Sequence, residues 1–257
     1  MTKDLSGRFA LVPGGSGGIG SAVAEALLDA GADIAVSFRN NRERTERLKG
    51  YGESKGRKVS IRQVNAEDYS EVKRWVGETI TEFGKIDILA NCVGFDGTFS
   101  LFREQTPELW ESMIGKQFWA GIYFAHCVVD HMIEQRWGRI ISLGSDGAKV
   151  GQAGMAVGNA GGAGLIAFNK SLAREVARYG ITVNAVCAGP TQTPALDRLR
   201  STGDTGAKLV DAAIRTIPMK RPGDPRELGE AFVYLASDAA GFITGQAISV
   251  SGGLTMQ

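Results

Sequence analysis

The chain has 257 residues, and its 43% hydrophobic and 22% charged side chains exclude a disordered or fibrous protein. A formal net charge of +1 argues against a broad nucleic-acid surface, so no nucleic-acid partner is expected. No apolar run reaches membrane-spanning length and Met1-Thr2-Lys3-Asp4 opens no secretory h-region, so a cytoplasmic protein without membrane contact is expected.

The first apolar run, Phe9–Val12, is followed by Gly14-Gly15-Ser16-Gly17-Gly18-Ile19-Gly20 and an Ala- and Leu-rich helical stretch, Ser21 to Ala30. A glycine loop between strand and helix lets backbone N–H groups approach a pyrophosphate, and the helix amino end adds favourable partial charge. Further strands are expected at Asp33–Ser37, Lys58–Val64, Ile86–Asn91, Arg139–Leu143, Thr182–Val186 and Ala247–Val250. Several are continuous Val/Ile/Leu runs, as in strands buried on both faces. Between them, Asp68-x-x-Glu71 reads as a capping box, and Thr106-Pro107 opens a helical pattern running to about His131. Asp224-Pro225-Arg226-Glu227 starts another, with proline at the first helical position.

This alternation predicts a Rossmann-type, doubly wound α/β fold: about seven parallel strands in one sheet with helices on both faces, a single domain over residues 1–257. The loosest stretch, residues 191–216, reads equally as a substrate lid or as a surface loop with two short helices. Cys92, Cys127 and Cys187 have no CxxC spacing, and His126 and His131 lie five apart, so neither a disulfide framework nor a metal site is expected.

The spacing of Gly14, Gly18 and Gly20 is joined by Asn91-Cys92-Val93-Gly94 after the fourth strand and Gly189-Pro190-Thr191-Gln192-Thr193 after the sixth. Near the end, Phe242-Ile243-Thr244-Gly245-Gln246 precedes Val250-Ser251-Gly252-Gly253. Together, from about Leu5 to the carboxyl terminus, these pieces resemble the short-chain dehydrogenase/reductase family. The resemblance implies that Gly14, Ser16, Gly17, Gly18, Ile19 and Gly20 hold a dinucleotide, with Asn65 and Ala66 at the adenine and Asn91 and Gly94 on the ribose side. Gly189, Thr191 and Thr193 would lie near the nicotinamide amide or the phosphates. Pro13 and Ala188 replace a usual threonine and proline, and Pro13 has no N–H to donate. A homotetramer built through the two long helices and the last strand is also implied.

Cofactor choice is read at the end of the second strand, Val36-Ser37-Phe38-Arg39-Asn40. An NAD(H) site would place a carboxylate there for the ribose hydroxyls. Phe38 occupies that position, and Arg39, with Asn40 beside it, suits a 2′-phosphate, so NADP(H) is favoured over NAD(H). Arg42, Arg44, Arg47 and Lys49 alternate with Glu43 and Glu46 and read as a solvated helix face.

Family members carry a serine after the fifth strand, a tyrosine thirteen residues on and a lysine four beyond that, with an asparagine on the preceding long helix. Here Ser145 matches the serine, Gly158 stands for the tyrosine, Gly162 for the lysine and Gln117 for the asparagine. No tyrosine lies between Tyr123 and Tyr179; Lys149 and Asp146 are the nearest alternative groups, and Lys170 lies too far along the helix. Glycines 158, 161, 162 and 164 inside a helix cost together roughly 3–4 kcal/mol relative to alanine. The offset is expected to be room for a bulky substrate or close helix packing in an oligomer. Ser145 and Gln117 remain as candidate catalytic groups, and an activated C=C bond, as in a hydrophobic enoyl thioester, needs no strong acid. Phe95, Phe99, Leu101, Phe102 and Met155 suit such a substrate or ordinary core packing. The alternatives are a catalytically silent nucleotide-binding subunit or sensor, and a weak carbonyl reductase using Ser145 and water.

Overall fold

The computed structural model describes residues 3–94, 99–201 and 203–257, with the side chains of 204–206 and 209 left aside. The strands are β1 Phe9–Val12, β2 Asp33–Phe38, β3 Val59–Gln63, β4 Ile88–Asn91, β5 Gly138–Ser145, β6 Ile181–Ala188 and β7 Ala247–Val250. All pair in parallel in the order β3-β2-β1-β4-β5-β6-β7. The order reverses between β1 and β4, which opens a crevice at the carboxyl ends of the strands, where ligands of open α/β sheets bind.

Period-two alternation along each strand divides the core into two layers. Ala10, Val12, Val36, Ala90, Ile141 and Val186 face one side and meet Leu27 and Leu28 of α1 (Gly18–Asp29), Leu48 of α2 (Arg42–Ser54) and Phe232 of α10 (Pro225–Ala236). Phe9, Leu11, Leu89, Ile140 and Val183 face the other, against Trp75 of α3 (Tyr69–Phe83), Phe124 of α5 (Ala120–Glu134) and Val176 of α7 (Ala156–Val176). The remaining helices are α4 Pro107–Ile114, the four-residue α6 Gly147–Val150, α8 Pro194–Arg200 and α9 Asp204–Thr216. Residues 191–216 thus hold two short helices. No helix among the described residues is long and apolar enough to cross a membrane.

The capping signals fold as two different devices. Asp224 and Glu227 close a full box at α10. At α3 the Asp68 carboxylate accepts from Ser70 N and Glu71 N, but Glu71 Oε2 accepts from Asn65 N at 2.8 Å. The Asp68 N–H is already committed to Asn65 O, so Glu71 reaches past it. The expected long helix from Thr106 to about His131 is interrupted: α4 and α5 are joined by a π-helical turn, Gly115–Trp119, which carries Gln117.

Candidate active site

The glycine loop runs from β1 into α1 at the crevice. Gly14 has φ +72, and a Cβ there would sit 2.8 Å from the Cys92–Val93 backbone that follows β4. At Gly20 a Cβ would lie 2.2 Å from Gly14 O, so neither position admits a side chain. Gly17 caps α1 without any side-chain hydrogen bond, whereas α2, α3, α4, α8 and α10 are all capped by side chains. The first N–H groups of α1 are therefore open to an anionic ligand. Asn91 is buried with its Oδ1 accepting from Val93 N at 3.2 Å, and its Nδ2 has no partner among the described residues. An uncapped helix end and an orphaned buried donor on adjacent loops fit a dinucleotide's phosphates and ribose hydroxyls.

The other expected cofactor residues lie on the segments that follow the carboxyl ends of β2, β3, β4 and β6. Thr193 packs on the loop, its Cβ 2.8 Å from where a Gly18 Cβ would stand, and its Oγ1 accepts from Leu196 N to cap α8. Thr191 is buried and donates to Gly189 O at 2.9 Å, while Gly189 N donates to Val250 O. Gly94 faces open space. Ala66 packs against the second core layer, and Asn65 Oδ1 accepts from Glu67 N at 3.3 Å. Asn40 is exposed.

Two arginines make contacts that the sequence does not show. Arg39 is not waiting alone at the end of β2: its Nη1 donates to Glu67 Oε1 at 2.7 Å. Arg44, expected on a solvated face, turns back and donates to Ser16 O in the glycine loop at 3.3 Å. It is the third residue of α2, and side chains in a helix's first turn lean toward its amino end.

Around Gly158 and Gly162 the first atom of an added side chain would already meet close neighbours. A Cβ on Gly162 would meet Ala148 Cβ at 2.8 Å, and one on Gly158 would meet Met155 Cε at 3.1 Å. The Gln117 carboxamide lies against both, its Oε1 3.5 Å from the Gly162 position and its Nε2 3.8 Å from the Gly158 position. Gly161 and Gly164 face Ile114 and Phe118. Within this chain, then, the glycines let α7 approach α4, the π turn and α6. The π turn matters because its wider winding aims Gln117 at α7, and such turns concentrate at functional sites.

Ser145 ends β5, in register with Ala188, and its Oγ accepts from Gly147 N at 3.2 Å, which leaves its own proton to donate. Lys149 does not swing toward it: Nζ is held by Ala247 O, Ser249 Oγ and Gln257 O at 3.1, 2.9 and 2.8 Å. Asp146 is buried, with both carboxylate oxygens unpartnered among the described residues. Asn159 donates to Gln152 O, away from the crevice. Lys170 is exposed about two turns beyond Gly162.

Of the apolar group, Met155 is buried, while Phe99, Leu101 and Phe102 are 43, 48 and 58% exposed. Their segment is pinned to the loop before α7 by Ser100 N donating to Gly154 O at 3.2 Å, and Phe102 stacks on Trp110. Phe95 lies outside the described residues. Burial pushes the Cys187 thiol up to about 11 and that of Cys92 well above its usual range, which disfavours their thiolates. His126 Nδ1 pairs with Tyr69 OH and His131 Nε2 accepts from Ile86 N, and no metal-binding cluster occurs among the described residues.

A family model described as Enoyl-(Acyl carrier protein) reductase matches residues 14–255. Nodulation protein G of Azospirillum brasilense is 34% identical over 253 residues, 98% of this chain and 100% of that protein. The acetoacetyl-CoA reductase of Rhizobium meliloti (strain 1021) is 35% identical over 246 residues, covering 96% of this chain and 98% of its own. The solved structure of gox2181 superposes with a TM-score of 0.91 at 28% identity, over 98% of this chain and 97% of that one. With its glycine loop, sheet order and full-length relatives in agreement, this chain belongs to the short-chain dehydrogenase/reductase family of oxidoreductases.

Proposed function

We propose that the protein is an NADP(H)-dependent reductase with a nonstandard active site, acting on the activated C=C bond of a hydrophobic enoyl thioester. The observation that carries this reading is the Gln117 carboxamide, presented by the π turn to Gly158 and Gly162 where the resemblance places a tyrosine and a lysine. When bound, the reduced dinucleotide supplies the hydride. Reducing a ketone puts a proton on an alkoxide, and losing the general acid for that step costs about 10²–10⁴-fold. In a conjugated thioester the hydride joins the β-carbon and the C=C electron pair moves onto the carbonyl oxygen as an enolate. Water then returns a proton to the α-carbon. The oxygen needs hydrogen-bond donors rather than an acid, and Ser145 Oγ–H and Gln117 Nε2 would supply them.

Further support comes from the exposed Phe99, Leu101 and Phe102, which suit an acyl chain, and from a family model and relatives named for acyl-thioester reductases. The uncapped α1 with Gly14, Ser16, Gly17, Gly18, Ile19 and Gly20 would take the pyrophosphate. Asn65 and Ala66 would take the adenine, Asn91 and Gly94 the ribose, and Gly189, Thr191 and Thr193 the nicotinamide end. Arg39 and Arg44 favour the 2′-phosphate. The half-exposed β7 and the exposed Trp119, stacked on Tyr123 at 6.0 Å, favour a homotetramer built through α5, α7 and β7.

The test is NADPH oxidation with an enoyl thioester against the matched 3-oxoacyl thioester. The enoyl substrate should turn over faster, and Gln117→Leu should lower that rate at least tenfold while leaving the dissociation constant for NADPH unchanged. Equal rates for the two substrates would remove the proposal. A second reading, a silent nucleotide-binding subunit, is favoured by the closure of Ala148 and Met155 over the glycines; it requires tight dinucleotide binding with no turnover of either thioester.

A further inference from the structure

We propose that Glu67 sets how strongly the site discriminates between NADPH and NADH, by holding Arg39 against the 2′-phosphate that would otherwise claim it. This rests on the reading that the glycine loop binds a nicotinamide dinucleotide. Glu67 stands two residues after Asn65, on the loop that follows β3, and its Oε1 accepts from Arg39 Nη1 at 2.7 Å. The pair is built rather than incidental. Glu67 N donates to Asn65 Oδ1 at 3.3 Å, Asn65 N donates to Glu71 Oε2 at 2.8 Å, and Gln63 Nε2 donates to Arg39 O at 2.8 Å. Both ends of the ion pair therefore sit on anchored backbone.

The other side of the carboxylate is walled. A Cβ on Gly115, the first residue of the π turn, would come within 2.9 Å of Glu67 Oε2. The Glu67 side chain is 26% exposed, wedged between the Arg39 guanidinium and that turn, while Arg39 is 58% exposed. Arg39 is thus the open partner and Glu67 the enclosed one. A 2′-phosphate arriving at Arg39 meets a guanidinium whose charge is already matched, with a carboxylate beside it. A 2′-hydroxyl meets no such repulsion. Arg44, whose contact is the Ser16 carbonyl, keeps a cation within reach of the same region, so attraction to the phosphate is reduced but not cancelled. Glu67 is accordingly a specificity-determining residue, and it narrows the NADPH preference that Arg39 and Arg44 alone would give.

The experiment is calorimetric titration of NADPH and of NADH into wild-type protein and Glu67→Gln, which keeps the shape and removes the charge. NADPH should bind the variant at least about fivefold more tightly, the size of one partly exposed charge contact, while the NADH constant moves less than twofold. In 0.5 M NaCl the NADPH advantage of the variant should shrink, because partly exposed charges are screened. Glu67→Ala, checked by circular dichroism, provides the same comparison should the glutamine variant fold poorly. If both dinucleotides bind and neither variant improves NADPH over NADH, this proposal falls while the nucleotide site stands. If folded wild-type protein binds neither dinucleotide, both fall.

Discussion

Alanine substitution at three helical glycines separates closed space from open space at the site. Replacing glycine by alanine in a helix interior gains about 1 kcal/mol from propensity alone. Gly77 in α3 is exposed, with nothing within 4 Å of an added Cβ, so Gly77→Ala should show that gain nearly in full. At Gly162 the new methyl would stand 2.8 Å from Ala148 Cβ, well inside the ~3.5–4.0 Å of an ordinary carbon contact. Both atoms are fixed directly to backbone, so relief requires α6 or α7 to shift, and such overpacking costs about 1–3 kcal/mol. Gly162→Ala should therefore come out destabilised by roughly 0–2 kcal/mol. Gly158 is intermediate: its neighbour at 3.1 Å is the flexible end of Met155, so Gly158→Ala should range from neutral to stabilised by roughly 1 kcal/mol. Urea unfolding at one fixed protein concentration, with slopes compared as well as midpoints, reads all three. If Gly162→Ala stabilises as much as Gly77→Ala, Ala148 does not close the space and the packing argument fails.

Three further outcomes follow from the same geometry and from the cap of α10. Ala148→Gly should restore the stability lost in Gly162→Ala, with a coupling of about 1 kcal/mol or more; additive effects would show that the two residues do not touch. Gly162→Lys should likewise be tolerated far better beside Ala148→Gly than alone, in the same unfolding assay. Arg226 holds the Asp224 carboxyl down at about 2, and Arg221 does the same for Glu227. Because folding lowers these values, the stabilisation is complete above the unfolded carboxyl range near pH 4 and disappears as pH falls through about 2. Asp224→Ala should cost about 1 kcal/mol at pH 7, and its melting temperature should converge on that of the wild type toward pH 2. An undiminished gap at pH 2 would contradict this.

All seven strands could be read from the sequence because most are short apolar runs set off by polar or glycine-rich connections. Errors were confined to ends. β5 runs on to Ser145, past the polar change at Gly144, because its edge pairs along the whole of β6. The strand expected from Ile86 begins at Ile88, since Asp87 N is already bonded to Phe9 O and its carboxylate to Phe9 N. The candidate site is legible in its backbone turns and opaque in its side-chain pairings. Glycine spacing reports where a chain must approach a ligand or itself, but not which. That is why the glycines of α7 were read as room for a substrate or as an oligomer contact, and not as the seat of Ala148 and Gln117. The π turn left no pattern signal because a single wider turn shifts the apolar stripe without erasing it. The partners of Arg39 and Arg44 are hidden for a common reason: charge along a sequence says nothing about which carboxylate or carbonyl lies across the crevice.

Lys149 follows Ser145 by four residues, yet its ammonium is tethered to β7 and to Gln257, where Ser249 and Thr255 also join hydroxyls at 3.0 Å. Residues 249–257 thereby serve as a latch on the turn that carries Ser145, remote in sequence but mechanically joined to it. Trimming them, or burdening them with a bulky fusion, would loosen the serine from a distance and leave the glycine loop untouched.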